Sequence, residues 1–318
     1  MGVIVAVDGG GTKTDVLAAT LTGEIVVRRR HGSAMPHAIG VEASVARVAK
    51  WVSAAAGGAS IAAVGVYLSG LDLPREVAAY TLGLQSAGLS PTLLVDNDVF
   101  ALLRAGTCEL DAVAVVCGTG INAVGRRADG ATVRFPALGA VSGDWGGGDC
   151  LGREALWHAA RDEDGREPRT VLAEAVCTHF GVRSIAELIA QLHFGERDHG
   201  ELAGLAQTVV AAAEHGDAVA GALIDRLGDE IVTLAGTCLR RLELLDAGVP
   251  VVLGGGILQA QPPRLMARVR QGLAGASPSA WAVVLTQPPI LGAALLTLEA
   301  AGCSPAALDR LSADFAGG

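Results

Sequence analysis

The sequence predicts an α/β protein of two lobes, and three observations lead to this prediction. The chain has 318 residues, which is long for a single simple core, and 51% of them are hydrophobic. Beyond residue 40, short β-branched runs alternate with segments of helical periodicity, which indicates parallel strands joined by helices. A strand, a glycine turn and a returning strand occur twice, at residues 3–20 and 111–126. Two lobes that begin alike would form a cleft between them.

Charge and cysteine content restrict the classes of partner. The formal net charge is −9, which leaves no basic face for a nucleic acid or an anionic membrane. No apolar run is long enough to span a bilayer, and the first one is too short for a secretion signal. The six cysteines are widely spaced without a C-x-x-C pair, as in reduced thiols. We therefore expect a cytoplasmic protein that binds small molecules.

The first fourteen residues carry the strongest local pattern. The β-branched run Val3–Val7 predicts a buried strand, which is followed by Asp8-Gly9-Gly10-Gly11-Thr12-Lys13-Thr14. Three glycines allow backbone N–H groups to approach a ligand closely, and Lys13 adds a cation. A carboxylate at the position of Asp8 suits a hydrated Mg²⁺. Because the apolar run resumes at residues 15–20, the glycines join two strands in a hairpin, unlike Walker A and dinucleotide loops, which lead into helices. The pattern suits a metal–triphosphate.

The rest of the first half predicts an order βββαβαβα. Its expected strands after the hairpin are residues 23–28, 61–68 and 91–96, and its helices are residues 41–56, 74–88 and 99–104. Residues 31–40 are rich in Gly and Pro and predict a loop. We expect the later strands to be parallel, because helices connect them.

The second half begins with the second strand–turn–strand unit, around Gly118-Thr119-Gly120. A glycine-rich stretch at 139–152 precedes a helix at 153–160, and residues 170–245 are mostly helical. A strand at 249–253 ends in Gly254-Gly255-Gly256, and the last strand is at 281–285. We expect one lobe to span residues 1–107, with residues 290–318 packing back on it, and the other to span 108–289. The tail after Gly302 predicts a short surface helix.

Three elements carry a resemblance to a known family: Asp8-Gly-Gly-Gly-Thr-Lys-Thr14, Gly118-Thr-Gly-Ile-Asn122 and Gly254-Gly-Gly-Ile257, each after a strand and in this order. Together with Asn97-Asp98, they resemble the sugar kinase/Hsp70/actin superfamily across essentially the whole chain. More narrowly, the chain resembles the BadF/BadG/BcrA/BcrD ATPase family, which includes N-acetylglucosamine kinases. The resemblance implies an actin-like ATPase (ribonuclease H-like) fold, with ATP held in a cleft between the lobes.

The resemblance also implies roles for particular residues. Asp8 would hold Mg²⁺, through water if the ion keeps most of its shell. The residues implied to bind nucleotide are Gly10, Gly11, Thr12, Lys13, Thr14, Gly118, Thr119, Gly120, Gly254, Gly255 and Gly256. Those implied to bind substrate are Met35, His37, Asp98, Gly120, Asn122, Asp144 and Gly148.

Asp98 matches the catalytic aspartate of such kinases and would accept the proton of the attacking sugar hydroxyl. A carboxylate at a strand end and helix start lies at the mouth of a cleft, and phosphoryl transfer requires mainly positioning, charge neutralisation and an oriented nucleophile. The alternative is a helix N-cap, because Asn-Asp before an apolar helical run is an ordinary start signal. Asp96 is the competing carboxylate, which could instead brace the loop.

The sugar-binding pattern departs from the family at several positions. Ile121 replaces a Ser, Trp145 replaces the Glu of a Gly-Asp-Glu-Gly motif, and Met35 stands where an Asn normally contacts the sugar. Loss of a polar contact changes discrimination between sugars, so the identity of the sugar stays open. The glycines at 146–148 indicate additional room beside the sugar, or simply a flexible loop.

The sequence therefore favours an ATP-dependent kinase of an amino sugar such as N-acetylglucosamine or glucosamine, acting on the 6-hydroxyl. One alternative is an ATPase activator of a dehydratase or reductase, although the scattered cysteines do not suit an iron–sulfur cluster. The other is a non-catalytic sugar sensor, against which Asp8, Lys13 and Asp98 argue. We expect a homodimer. The helix at 229–245 could supply core or a dimer contact, and the charged residues at 193–201 predict a solvated loop rather than a metal site.

Overall fold

The computed structural model describes residues 2–90 and 92–316, and it divides into two compact units. The first unit comprises Met1–Ala114, Arg134–Pro136 and Leu285–Gly318, and the second comprises Val115–Val133 and Ala137–Val284. Among the described residues, no helix is both long and apolar enough to cross a membrane.

Within residues 2–90 and 92–316, ten strands build two five-stranded sheets. The strands are β1 Gly2–Gly9, β2 Lys13–Thr20, β3 Ile25–Gly32, β4 Ser60–Leu68, β5 Leu93–Asp96, β6 Ala112–Cys117, β7 Ile121–Arg126, β8 Thr132–Arg134, β9 Pro250–Gly254 and β10 Trp281–Val284. The first sheet has the order β3-β2-β1-β4-β5, and the second has the order β10-β9-β6-β7-β8. Strands β1, β2 and β3 pair antiparallel, whereas β4 pairs in parallel with β1 and β5. The predicted hairpin and the predicted parallel strands are both confirmed.

Thirteen α-helices are formed by the described residues. They are α1 Pro36–Ile39, α2 Val41–Ala56, α3 Pro74–Ser86, α4 Asp98–Gly106, α5 Gly147–Glu163, α6 Leu172–Phe180, α7 Ile185–His193, α8 Ala206–Glu214, α9 Ala218–Arg241, α10 Gly256–Gln259, α11 Pro263–Ala276, α12 Pro289–Ala300 and α13 Pro305–Ala316. Two 3₁₀ turns, Gly139–Ser142 and His199–Leu205, precede α5 and α8.

The core of the first unit lies on both faces of its sheet. Alternate side chains of β1 point to opposite faces, as the period of a strand requires. Val3, Val5 and Val7 pack with α2 and α3. Ile4 and Ala6 pack with α4 and α12 on the other face. The ends of β1, β4 and β5 are thereby held by packing on both sides.

Five elements differ from the sequence-based expectations. The third strand extends to Gly32 rather than ending at residue 28. Strand β8 and helix α11 were not predicted. Strand β5 was predicted to begin at Pro91, which lies outside the described residues. Helix α13 is not only a surface helix, because Ala307 and Leu311 are buried. Helix α5 starts at Gly147, six residues before the predicted start at residue 153, so two of the three glycines at 146–148 are helical rather than loop.

Candidate functional site

The glycine turn between β1 and β2 is short and open to solvent. Asp8 lies opposite Asp15 in the ladder, and Gly9 lies opposite Thr14. The backbone N–H of Gly10 donates to the carbonyl of Lys13 at 2.9 Å, which closes the turn. Residues 11–13 are exposed, so backbone and side-chain donors of this turn are accessible to a ligand.

Thr14 departs from the role that the resemblance implied. Its side chain is fully buried, and its hydroxyl has no hydrogen-bond partner among the described residues. In the β1–β2 ladder it lies against Gly9 on the interior side, where a Cβ on Gly9 would meet Thr14 Oγ1 at 3.2 Å. The implied contact between Thr14 and nucleotide is therefore not available in this conformation. Residues 11–13 are exposed and Gly10 is half-buried, and their contact with nucleotide stays a prediction.

Asp8 lies in a strongly negative surrounding. Burial raises the pKa of Asp8 well above its usual value, and the neighbouring carboxylates of Asp98 and Asp15 raise it further, while Lys13 lowers it. Asp15 is itself buried and receives two hydrogen bonds from the guanidinium of Arg30, at 2.8 and 3.0 Å. A divalent cation beside Asp8 would offset this repulsion, so the donor set fits Mg²⁺.

The region of the chain that the structure describes contains no group of three or more His, Cys, Asp and Glu side chains arranged around a common metal position. The charged segment at 193–201 is instead used for capping and ion pairing. Asp198 caps the second 3₁₀ turn together with Glu201, and Arg197 Nη1 lies 2.9 Å from Glu201 Oε2. Residues 194–198 connect α7 to the second 3₁₀ turn, whereas His193 ends α7 and residues 199–201 belong to that turn, so only the middle of the predicted loop is a loop.

The structure separates the two roles that the sequence left open for Asp98. Asn97, and not Asp98, is the N-cap of α4, because its side-chain oxygen accepts a hydrogen bond from the N–H of Val99 at 3.0 Å. Asp98 is the first helical residue, and its carboxylate is not needed as the cap. Burial and the nearby carboxylate of Asp72 raise the pKa of Asp98 to about 7, against the opposing backbone N–H groups of Asp98 and Val99.

Asp96 has a bracing role, as its alternative assignment predicted. Its two carboxylate oxygens lie 2.8 and 3.0 Å from Arg134 Nη2, and one of them accepts from the N–H of Asn97 at 2.8 Å. The guanidinium of Arg134 also lies 5.0 Å from the ring centroid of Phe100. The pairing fixes the Asp96 carboxylate at the end of β5. Of the two carboxylates, Asp98 is the one without an ion-pair partner among residues 2–90 and 92–316.

The segment around Met35 and His37 contacts both the glycine turn and α3. Ser33 Oγ donates to the carbonyl of Gly10 at 3.4 Å and accepts from the N–H of Met35 at 3.1 Å. His37 Nε2 lies 2.8 Å from Glu76 Oε1. The structure thus connects this segment to the glycine turn between β1 and β2. The side chain of Met35 has no amide that could replace the polar contact of the family's Asn.

In the second unit, the turn at residues 118–120 is held by the start of α5. The N–H of Gly118 donates to the carbonyl of Gly120 at 2.9 Å, and the N–H of Gly148 donates to the carbonyl of Gly118 at 2.8 Å. A Cβ on Gly147 would lie 2.5 Å from the carbonyl carbon of Gly120. The expectation of additional room at 146–148 is therefore wrong, because these glycines permit close backbone contact and are themselves buried.

A cavity of about 660 Å³ brings the two predicted nucleotide elements of this unit together. Gly118 and Thr119 line one side, and Gly256 lines another. Gly255 has φ 87°, and a Cβ there would lie 2.4 Å from the carbonyl oxygen of Cys117. Apart from Gly148, which was implied to bind substrate, the sequence did not predict the remaining wall, which is formed by Gly148, Ala203, Gly204, Ala206, Gln207, Val210, Ala211, Ile257, Ala260 and Pro262. This mostly apolar wall next to a glycine turn suits a nucleoside attached to phosphates.

A second cavity, of about 450 Å³, includes part of the predicted sugar-binding set. Gly120 and Asp144 line it together with Trp145. Asp144 accepts a short hydrogen bond from Ser142 Oγ. Gly148 lines the larger cavity instead. Asn122 is 9% exposed and accepts from the N–H of Ala123 at 2.7 Å.

Trp145, which replaces the family's Glu, is held in place by charged neighbours. Its indole N–H donates to Glu154 Oε1 at 3.0 Å. The guanidinium of Arg226 lies 4.0 Å from the centroid of the Trp145 ring. The ring therefore forms a fixed aromatic wall of the 450 Å³ cavity. Neither partner was predicted from the sequence.

The two sheets and their helices define an α/β protein with the actin-like ATPase fold, as predicted. Solved structures with this fold include a proposed N-acetylglucosamine kinase of Chromobacterium violaceum, with a TM-score of 0.70, 24% identity and coverage of 93% of this chain and 98% of that one. A ROK family glucokinase of Streptomyces griseus, solved with glucose and AMPPNP, gives a TM-score of 0.58 at 17% identity and covers 94% of this chain and 100% of that one.

The chain belongs to the BadF/BadG/BcrA/BcrD ATPase family, which its sequence matches over residues 5–297. It is 22% identical to an N-acetyl-D-glucosamine kinase of Dictyostelium discoideum, over 93% of this chain and 98% of that protein. It is 23% identical to an N-acetylmuramic acid/N-acetylglucosamine kinase of Clostridium acetobutylicum, over 80% of this chain and 85% of that protein. The resemblance found from the three glycine turns is confirmed.

Proposed function

We propose that the chain is an ATP-dependent kinase that transfers the γ-phosphoryl group of ATP to a hydroxyl of an amino sugar such as N-acetylglucosamine or glucosamine. The observation that carries the proposal is that the carboxylate of Asp98 neither caps α4 nor forms the ion pair with Arg134. Its neighbours Asn97 and Asp96 supply the helix cap and the ion pair, so Asp98 has a carboxylate with a raised pKa and no competing structural task. Family membership and kinase relatives support the same activity.

The residues of the first unit would handle the phosphates and the attacking hydroxyl. Backbone donors of residues 10–12 and the ammonium of Lys13 would bind the phosphate chain. Asp8 would hold Mg²⁺, which supplies charge neutralisation when bound. The oxygen of the sugar hydroxyl would attack the γ-phosphorus while Asp98 accepts the hydroxyl proton. The bond between the γ-phosphorus and the oxygen that bridges to the β-phosphate would break and release ADP.

The residues of the second unit would hold the nucleoside and the sugar. The turn at 118–120 would contact phosphate, and the 660 Å³ cavity beside Gly256 would take the adenosine. Asp144 and the Trp145 ring would face the sugar. The proposal includes transfer to the 6-hydroxyl, a cytoplasmic location and a homodimer, as expected from the sequence.

Sugar-dependent release of ADP tests the proposal. The panel is N-acetylglucosamine, glucosamine, N-acetylmannosamine, N-acetylmuramic acid and glucose, measured with the wild type and Asp98→Asn. We expect at least one amino sugar to raise ADP release, and Asp98→Asn to lower kcat by roughly 10²–10⁴-fold with ATP affinity nearly unchanged. Sugar binding without ADP release would indicate a sensor, and a coloured protein after anaerobic purification would indicate an activator.

A further inference from the structure

A third cavity, of about 580 Å³, lies in the second unit and is not used by the proposed reaction. The C-terminal end of α5, the segment that follows it and the helices α6 and α7 form its walls. Its lining is strongly charged, with four carboxylates from Asp162, Glu163, Glu174 and Asp217 and two guanidinium groups from Arg169 and Arg183. The formal charge of these side chains is therefore −2, four negative against two positive.

One carboxylate in this cavity has an unused acceptor. Asp162 is 6% exposed, and its Oδ2 accepts from the N–H of Thr170 at 3.0 Å. Its Oδ1 is buried and has no hydrogen-bond partner among the residues that the structure describes. The nearest cation is Arg169, whose Nε lies 3.8 Å from Oδ1, beyond hydrogen-bonding distance. A buried acceptor on a charged group is costly to leave without a donor.

Arg169 is poorly placed to supply that donor permanently. Its side chain is 95% exposed, so holding it over Asp162 would restrict a long flexible chain for a contact that is largely screened by water. Arg183 is 93% exposed and is paired with Glu187 at 3.2 Å. The walls thus include a buried carboxylate with an unused acceptor, that of Asp162, and carry a net negative charge.

Two of the other carboxylates already have structural roles. Asp217 caps α9 through the N–H of Ala220 and accepts from Thr170 Oγ1 and the N–H of Val171. Glu163 accepts from the N–H of Ile185 at the start of α7. Unlike the carboxylates of Asp217 and Glu163, Asp162 has a buried oxygen, Oδ1, that is left to accept a hydrogen bond from a ligand.

The cavity is separate from the proposed nucleotide and sugar cavities. All three involve α5, but Gly147 and Gly148 at its first turn contact the turn at 118–120, whereas Asp162 lies near its last residue. Fifteen residues separate Gly147 from Asp162, which corresponds to roughly 22 Å along a helix. A ligand at Asp162 would not compete directly with either substrate.

We infer that this cavity is a binding site for a small organic molecule carrying a primary ammonium group. The ammonium donates a hydrogen bond to Asp162 Oδ1, and the positive charge offsets the excess of carboxylates, with Glu174 on the rim. The end of α5 favours the same sign of charge, because the negative end of the helix dipole lies there. Binding displaces Arg169 from its distant contact with Asp162.

The test uses 1,4-diaminobutane as the probe and isothermal titration calorimetry of the full chain without substrates. We expect saturable binding at millimolar or lower probe concentration. Hexamethyl-1,4-butanediammonium, the fully methylated analogue, carries the same two positive charges but no N–H donor, so we expect it to bind at least about tenfold more weakly. Asp162→Asn keeps an acceptor for Thr170 and removes the charge, and we expect it to weaken diaminobutane binding by roughly 10–100-fold.

Asp164→Asn is the matched control, because Asp164 lies two residues further along the chain, is paired with Arg166 and does not line the cavity. We expect it to bind the probe like the wild type. If Asp162→Asn does not fold, as judged by circular dichroism, Glu174→Gln on the exposed rim replaces it, with a loss of affinity expected. No saturable binding, equal binding of the two cations, or equal loss in the Asp164 control would overturn the inference.

Discussion

The side chain of Asn97 is hydrogen-bonded to Asp72: its Nδ2 donates to Asp72 Oδ1 at 2.9 Å, while its own Oδ1 accepts from the N–H of Val99 at 3.0 Å. Both side chains are buried. A single amide thus caps α4 and fixes the carboxylate that contributes to the raised pKa of Asp98. The position and the proton affinity of the proposed base depend on the same residue.

Replacing Asn97 with Ala should lower the free energy of unfolding by about 2–4 kcal/mol, because the change removes an N-cap and a buried donor to a carboxylate. Urea unfolding at pH 7 measures the loss. Asn97→Ser is the control, since Ser can cap the helix but cannot reach Asp72 in the same way. We expect Asn97→Ser to lose about half as much unfolding free energy as Asn97→Ala. Equal losses in the two variants would show that the cap contributes nothing.

The pH dependence of turnover should follow the ionisation of Asp98. Burial and Asp72 raise the pKa of Asp98 to about 7, and only the ionised carboxylate can accept the sugar's proton. The kcat/KM for the best sugar, which reports the ionisation of the enzyme free of sugar, should therefore rise about tenfold per pH unit below this value and level off above it. Initial rates of ADP release at sugar concentrations well below KM, on both sides of pH 7, measure the profile.

Asp72→Asn provides the control for that profile. The substitution removes the neighbouring charge but keeps an oxygen that can accept from Asn97. The pKa of Asp98 should fall, so the midpoint of the pH profile should move to lower pH. An unchanged midpoint would mean that the group controlling turnover is not Asp98.

The same pKa predicts a gain in stability for Asp98→Asn at alkaline pH. A carboxyl whose pKa is raised binds its proton more tightly in the folded state than in the unfolded state, where its value is near 3.8. Its contribution to stability is therefore full below about pH 3.8 and is lost as the pH rises to about 7. Above that pH the wild type holds a buried negative charge, which Asn lacks.

Thermal unfolding at about pH 8 should show Asp98→Asn melting at least about 2 °C above the wild type, with the difference vanishing towards about pH 4. Asp164→Asn is the control, because the pKa of the Asp164 carboxyl is shifted in the opposite direction: Arg166 holds it below its usual value. No gain in Tm is expected for that variant. A destabilised Asp98→Asn at pH 8 would mean that the carboxylate is stabilised by contacts in the folded state.

Much of the first unit could be predicted because its signals are local. The β-branched run in β1, the glycines after Asp8 and the helical spacing in α2 each determine the backbone within a few residues. The start of α4 was equally local, but the cap was predicted only as the alternative role of Asp98, and it is Asn97. The difference depends on which side-chain oxygen reaches the N–H of Val99.

Less of the second unit could be predicted, because its cavity walls come from distant segments. Ala206 and Pro262 carry no individual signal, and they line the 660 Å³ cavity only because α8 and the start of α11 lie beside the turn at 118–120. The ring of Trp145 was noticed as a departure from the family, but its partners Glu154 and Arg226 are distant in the sequence. Long-range contacts of this kind leave no periodic pattern.

Gly147 shows most directly how the glycines at 146–148 act. It has φ 79°, and a Cβ on it would lie 2.5–2.6 Å from three backbone atoms of Gly120. Gly147→Ala must therefore displace either the turn at 118–120 or the start of α5. We expect a loss of unfolding free energy of about 3 kcal/mol or more and at least a tenfold loss of affinity for an ATP analogue.

Gly143→Ala is the matched control for this prediction. Gly143 has φ 83°, but no atom outside its immediate neighbours lies within 4 Å of a Cβ built on it. The two variants share the cost of a left-handed backbone, about 1 kcal/mol, and differ in the collision with Gly120. Calorimetric titration with the analogue and urea unfolding should show a small loss of stability and unchanged affinity for Gly143→Ala. If both variants bind the analogue equally, the close contact between Gly147 and Gly120 does not position the turn for nucleotide.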